Sequence, residues 1–258
     1  MVDGKYIHGI DKRQIPTCNI LGVDVAAINM EWLLEFTKKN MKALSGDYMC
    51  VANVHTTVTA YEDDSYKDIQ NSGIMAIPDG GPLSSVGQKR GYKKMSRTTG
   101  PSYMDTILTM SSENGWRHYF YGSTDETLRK LKAMLEENYS GVQIAGMYSP
   151  PFRQLTEDED KEMISMINET SPDFVWVGLG APKQERWMSA HQGKVKGLMV
   201  GVGAGFDYLA GNLKRAPEWM QRSNLEWLYR LLQDPKRLLS RYVSTNTKFI
   251  WHALIRGR

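Results

Sequence analysis

At 258 residues the chain can bury a substantial core in one large α/β domain or two small ones, and its 41% hydrophobic and 24% charged content is ordinary for a soluble globular protein. No stretch approaches the roughly 20 apolar residues of a membrane span, and the opening MVDGKYIHGIDKRQ has no signal-peptide core. The net charge of +3 is uneven: residues 214–258 carry ten Lys/Arg against three Asp/Glu, which leaves the first 213 residues at −4.

A basic tail on a mildly acidic body fits a phosphate-bearing partner or a membrane surface, and equally a solvated helix face. Cys18 and Cys50 form neither a metal-like pair nor a disulfide framework, so a reducing, cytoplasmic setting is expected.

Strands and helices alternate along the chain. Ile20–Val25 reads as a strand and Met30–Leu44 as an amphipathic helix with Asn29 as N-cap. Tyr48–Asn53 is a second strand, followed by a helix from about Thr56 to Gln70. Ile74–Ile77 is a short strand that ends in the turn signal Pro78-Asp79-Gly80-Gly81-Pro82. A helix over Tyr103–Ser112, a strand over Arg117–Tyr121, a helix over Thr124–Asn138 and a strand over Val142–Met147 come next. Thr156–Thr170 is helical and opens like a capping box. The apolar run Phe174–Val177 has the character of a fully buried parallel strand, with a helix from Pro182 and a strand over Gly197–Val202 after it. After Gly211 only helices are expected: Glu218–Leu232, then a helix opened by Asp234-Pro235 and reaching about Leu254. The expected fold is therefore α/β, a parallel sheet with helices on both faces (Rossmann-like), with residues 1–211 as core and 212–258 as a basic, amphipathic helical appendage hinged near 211–217.

The segment Gly178–Trp187, GLGAPKQERW, concentrates the chemical signal. Gly178 and Gly180 put flexible backbone, and Pro182 a helix start, at the carboxyl end of a buried strand, where open α/β sheets take phosphate-bearing ligands. Lys183, Gln184 and Glu185 add polar groups to that first turn, which points to a nucleotide-dependent enzyme site. Asp79 lies at the end of another strand, where a carboxylate can be a general base or simply an Asx-turn residue. Asn53, His55, Thr56 and Thr57 end the neighbouring strand on the same edge, which favours the base.

Other chemistries lack their signatures. Gly178–Lys183 and Gly201–Phe206 each supply G-x-G, but Lys183 and Phe206 stand where the third glycine belongs, which argues against NAD. No Walker loop occurs, the five histidines are scattered, and the acidic runs Asp63-Asp64 and Asp158-Glu159-Asp160 read as solvated helix faces, so no metal or other cofactor is expected. No nucleic-acid partner is expected either. In the tail, Arg230, Arg237 and Arg241 share one face if the two helices run on with little kink, and guanidinium groups suit a diphosphate. The apolar residues opposite them, from Trp227 to Trp251, can meet a membrane interface or pack on the body.

Taken together, NVHTT at 53–57, PDGGP at 78–82, RTTGPSYMD at 97–105, FYGS at 120–123, GLGAPKQERW and RAPEWMQRSNLEWLYRL at 215–231 resemble the WecG/TagA/CpsF glycosyltransferases, from about Ile20 to Tyr242. The resemblance implies metal-independent, inverting transfer from a UDP-sugar to a polyprenyl-diphosphate-linked saccharide, by a peripheral enzyme on the cytoplasmic membrane face. The sugar would be of N-acetylmannosamine or glucose type. It also implies Asp79 as base, Gln184 and Glu185 as uracil- or ribose-side contacts, Arg97 near the donor sugar, and Arg230 and Arg237 near the diphosphate. One departure is Val51, where many members have Thr. A catalytically silent UDP-sugar-binding subunit of a polysaccharide assembly complex is the alternative, and apolar surface on the appendage favours a homo-oligomer.

Overall fold

The computed structural model describes residues 6–7, 9–223 and 225–255. A small antiparallel ribbon, β1 (Tyr6–Ile7) with β2 (Ile10–Asp11), precedes the main sheet. That sheet comprises β3 (Thr17–Ile20), β4 (Val23–Ala26), β5 (Tyr48–Ala52), β6 (Met75–Pro78), β7 (Arg117–Gly122), β8 (Gln143–Tyr148), β9 (Phe174–Gly178) and β10 (Leu198–Gly201). Its strand order is β3-β4-β6-β5-β10-β9-β7-β8, parallel throughout except for β3 against β4. The helices are α1 (Met30–Asn40), α2 (Val54–Glu62), α3 (Asp64–Ser72), α4 (Gly81–Lys89), α5 (Gly100–Asn114), α6 (Asp125–Asn138), α7 (Glu157–Glu169), α8 (Lys183–Ala190), α9 (Gly205–Leu209), α10 (Glu218–Arg222), α11 (Glu226–Gln233) and α12 (Pro235–Phe249). A π-helical extension, Ile250–Ile255, follows α12.

Two apolar layers sandwich the sheet. Met49, Val51, Phe174, Trp176 and Val200 face a layer built with α1, α5, α6 and α9. The alternate residues Cys50, Ala52, Val175, Val177 and Met199 face a second layer built with α2, α3, α4, α7, α8 and Phe249 of α12. Burial on both faces explains why β5 and β9 read as unbroken apolar runs.

This layering positions the site. The chain leaves β5 and β9 toward the second layer, through α2 and α8, but leaves β10 between them toward the first, through α9. The connections diverge at the carboxyl end of β10, the kind of switch point at which open α/β sheets bind their ligands.

Several elements differ from the sequence expectation. Ile20–Val25 is a hairpin, because Leu21 and Gly22 both adopt positive φ (54° and 87°), a pairing that suits a two-residue turn between twisted strands. The helix expected over Thr56–Gln70 is two helices. Asp63 leaves helical geometry, ends α2 with its N–H, and caps α3 through its side chain, which accepts from the Tyr66 N–H. PDGGP does not end in a loop: α4 starts at Gly81, directly after Gly80 at φ 102°. The Glu218–Leu232 helix breaks between α10 and α11, and Asp234 (φ −140°, ψ 67°) breaks α11 from α12. Thr156 and Glu159 do form the expected capping box.

The packing around β7 and β9 gives a test. Gly122 has φ 118°, and a Cβ there would lie 2.7 Å from the carbonyl carbon and oxygen of Gly178, backbone atoms that cannot yield. Gly122→Ala is expected to cost on the order of 1–3 kcal/mol. A thermal melt indistinguishable from wild type would contradict this close approach.

Candidate active site

Backbone hydrogen bonds stitch the loops at the carboxyl edge of the sheet into one surface. The Asp79 N–H donates to Ala52 O (2.7 Å), the Thr98 N–H to Pro78 O (2.7 Å), the Val202 N–H to Val177 O (2.9 Å) and the Ser123 N–H to Gly178 O (3.1 Å). Gln184 joins two of these loops: its Oε1 accepts from the Gly203 N–H at 3.1 Å, and its Nε2 donates to Glu185 Oε1 at 2.8 Å.

Asp79 is half-buried at the end of β6, and among the described residues no hydrogen bond ties its carboxylate to its own turn. This sets aside the turn-capping alternative. Withdrawal from solvent pushes its pKa up to about 6, against the opposing pull of Arg97, Arg230 and Arg215, with Glu226 adding to the rise. Asp79 is thus a carboxylate of raised pKa within electrostatic reach of three arginines and one glutamate.

These charged groups come from distant parts of the chain. Arg97, in the segment between α4 and α5, forms an ion pair with Glu226, the first residue of α11. Arg215 Nη2 donates to Ser102 Oγ at 2.9 Å in the first turn of α5, while its buried Nε has no hydrogen-bond partner among the described residues. The Arg230 guanidinium lies over the Tyr208 ring, 5.8 Å from its centroid. Burial opposes the Arg230 charge, but Tyr208, Tyr242, Asp79 and Glu226 outweigh it and raise the pKa.

The residues expected in the site are thus only partly gathered. Asp79, Arg97 and Arg230 converge. Asn53 and Thr56 sit at the carboxyl edge, but their polar groups form the capping box of α2: Thr56 N–H donates to Asn53 Oδ1 (3.1 Å), and the Asn53 N–H to Thr56 Oγ1 (2.8 Å). His55 is half-buried in the first turn of α2. Gly180 has φ 77° with open space around it, so the backbone bend rather than crowding selects glycine. Pro182 is the N-cap of α8 and not its first residue, Lys183 is exposed beside it, and Gln184 is buried.

Glu185 is fully buried and packs toward the second layer, where Tyr66 adjoins it; burial raises its pKa. Val51 fills space beneath the start of α5, 3.1 Å from where a Gly100 Cβ would stand. The break at Asp234 removes the premise that Arg230, Arg237 and Arg241 share a face. Arg237 and Arg241 belong to α12, but their side chains lie outside the described residues.

Sequence reasoning missed Tyr208, Arg215 and Glu226. Arg215 and Glu226 lie within the RAPEWMQRSNLEWLYRL segment, and Tyr208 just after a glycine loop noted only for failing a dinucleotide pattern. Pairing through space, which a linear pattern does not carry, is what joins them to Asp79.

Known proteins match this chain over the same regions. The Glycosyl transferase WecG/TagA/CpsF family model matches residues 18–258. An N-acetylglucosaminyldiphosphoundecaprenol N-acetyl-beta-D-mannosaminyltransferase of Bacillus subtilis (strain 168) is 30% identical over 200 residues, covering 76% of each chain. Proteins of the same name are 26% identical over 223 residues in Staphylococcus aureus (strain MW2), covering 85% of this chain and 86% of that one, and 30% identical over 193 residues in Bacillus spizizenii, covering 74% and 73%. The family match takes in every strand and helix that lines the crevice, from β5 and Asp79 to the cations of the tail, and the chain belongs to the WecG/TagA/CpsF glycosyltransferase family.

Proposed function

We propose that this glycosyltransferase moves a sugar from a UDP-sugar to a saccharide carried on a polyprenyl diphosphate, with inversion and without a metal. The single observation that supports this most is the basic, half-buried Asp79 among Arg97, Arg215 and Arg230. In the proposed reaction the Asp79 carboxylate accepts the proton of the acceptor hydroxyl as that oxygen bonds to the anomeric carbon. The bond from that carbon to the UDP oxygen breaks on the opposite side, and UDP leaves with the electron pair. One base is enough for inversion. The arginines stabilise the charge that develops on the leaving diphosphate, a task that metal ions perform elsewhere.

The relatives are named for an N-acetylglucosaminyl-diphosphoundecaprenol acceptor and an N-acetyl-β-D-mannosaminyl product. The β linkage is the outcome of inverting an α-linked nucleotide sugar, and an N-acetylmannosamine-type donor is our first choice for this chain. A lipid-linked acceptor keeps the enzyme at the inner membrane face. No helix among the described residues is long and apolar enough to cross a membrane. The exposed side chains of Leu232, Leu239, Val243, Ile250, Trp251 and Ile255, with the basic charge of the tail, suit peripheral contact.

Release of UDP from a panel of UDP-sugars, with a short-chain polyprenyl-diphosphate N-acetylglucosamine acceptor, tests the proposal. Acceptor-dependent release is expected, with kcat lower by about 10²–10⁴-fold in Asp79→Asn. Its wild-type rate should fall as pH drops through about 6, where Asp79 takes up its proton. Equal release by mutant and wild type would remove Asp79 as base. Excess chelator is expected to leave turnover unchanged; a loss that added Mg²⁺ restores would contradict the metal-free scheme.

The same carboxylate has a stability signature. Its folded pKa of about 6 lies above the unfolded value of about 3.9, so it favours folding most below about pH 4 and loses that contribution as pH rises through about 6. Asp79→Asn should therefore be more stable than wild type at pH 7–8, on the order of 1–2 kcal/mol, with the gain vanishing near pH 4. A destabilised mutant at neutral pH would rule this out.

A further inference from the structure

Glu226 is the one carboxylate that the tail brings to the Asp79 cluster among the described residues. It opens α11, and its partner Arg97 lies 129 residues earlier in the chain. Both side chains are largely withdrawn from solvent, at 15% and 21% exposure, so the pair is weakly screened. The charged or titratable groups around Asp79 are Arg97 before α5, Arg215 before α10, Tyr208 of α9, and Glu226 and Arg230 of α11. Three guanidinium groups serve a departing diphosphate well, but they also weaken a neighbouring carboxylate as a base, because each favours its ionised form.

Resting on the reading of Asp79 as the base, we propose that Glu226 is a positioning residue for the transfer: by pairing with Arg97 it fixes that guanidinium at the cleft and cancels its charge toward Asp79, so that a docked tail completes a site that is both cationic and basic. The electrostatics agree in sign, since Glu226 raises the pKa of Asp79 while Arg97 lowers it. A pair that merely held the tail in place would leave the titration of Asp79 where it is.

The test is the titration of Asp79 itself in the full chain, followed by carbon NMR of aspartate-labelled protein, with its resonance assigned by loss in Asp79→Asn. In Glu226→Gln the midpoint is expected to fall from about 6 by about one unit. In Glu226→Asp, which keeps a carboxylate, it should stay near the wild-type value. The paired variant Arg97→Gln with Glu226→Gln removes one charge of each sign and should restore the midpoint. Undocking of the tail would instead leave the single and paired variants equally low, and that result would overturn the proposal. So would a midpoint that does not move in Glu226→Gln.

In transfer assays, the acidic limb of the Glu226→Gln pH profile should shift downward with the NMR midpoint, and kcat should drop more than the donor KM changes. If the wild type shows no Asp79-dependent transfer while the midpoints move as expected, the assignment of the base fails and the charge coupling stands. If transfer depends on Asp79 and the midpoints are fixed, the role of Glu226 fails alone.

Discussion

A carboxylate withdrawn from water is a stronger base, and a carboxylate surrounded by guanidinium groups is a weaker one; the Asp79 site has to hold both conditions at once. Burial is the larger influence and carries the pKa to about 6 despite three arginines. That balance depends on withdrawal of the carboxylate from water and on cations supplied by three separate segments of the chain. Much of the architecture serves this placement. β6 ends at Pro78, the Asp79 N–H is fixed to Ala52 O on β5, and the Thr98 N–H ties the Arg97 segment back to Pro78. The carboxylate and its first counter-ion are thus held to the rigid edge of the sheet.

The sheet explains why a cleft exists there at all. A chain that sent every connection to the same layer would close over the strand ends. Here β10 sends its connection to the first layer, while its neighbours β5 and β9 send theirs to the second. Glycines line the resulting gap for steric reasons: a Cβ on Gly178 would sit 2.7 Å from the Phe206 ring, and one on Gly201 2.9 Å from Gln184 Nε2. Gln184 is left joining the start of α8 to the loop after β10, its Oε1 accepting from the Gly203 N–H.

What the sequence made legible follows from what is local. Apolar period and caps located β5, β7, β9 and α7, because the burial of those strands and the Thr156–Glu159 box are properties of short segments. The strand-end positions of Asp79 and Gly178–Gly180 were legible for the same reason. Three features were not. Leu21 takes a positive φ because its side chain is drawn into the core, at 2% exposure, a tertiary effect that no turn preference of leucine anticipates. Asp63 serves as C-cap and N-cap at once, so a helical pattern reads straight through it. Glu226 looks like an ordinary helix-opening acid until Arg97 is brought to it.

The tail joins the two ends of the chemistry. Its inner side is committed to the body: Leu238, Phe249 and Ala253 are buried, α12 packs along α2, the His252 ring lies tilted against Tyr61 with centroids 4.6 Å apart, and Lys248 pairs with Glu62. The α11 end supplies Glu226 and Arg230 to Asp79, while beyond the break at Asp234 Leu239 and Val243 of α12 and Ile250 of its extension stay exposed. Packing of α12 on α2 and the Arg97–Glu226 pair thus hold the tail to the body at two separate places, one on each side of the break at Asp234.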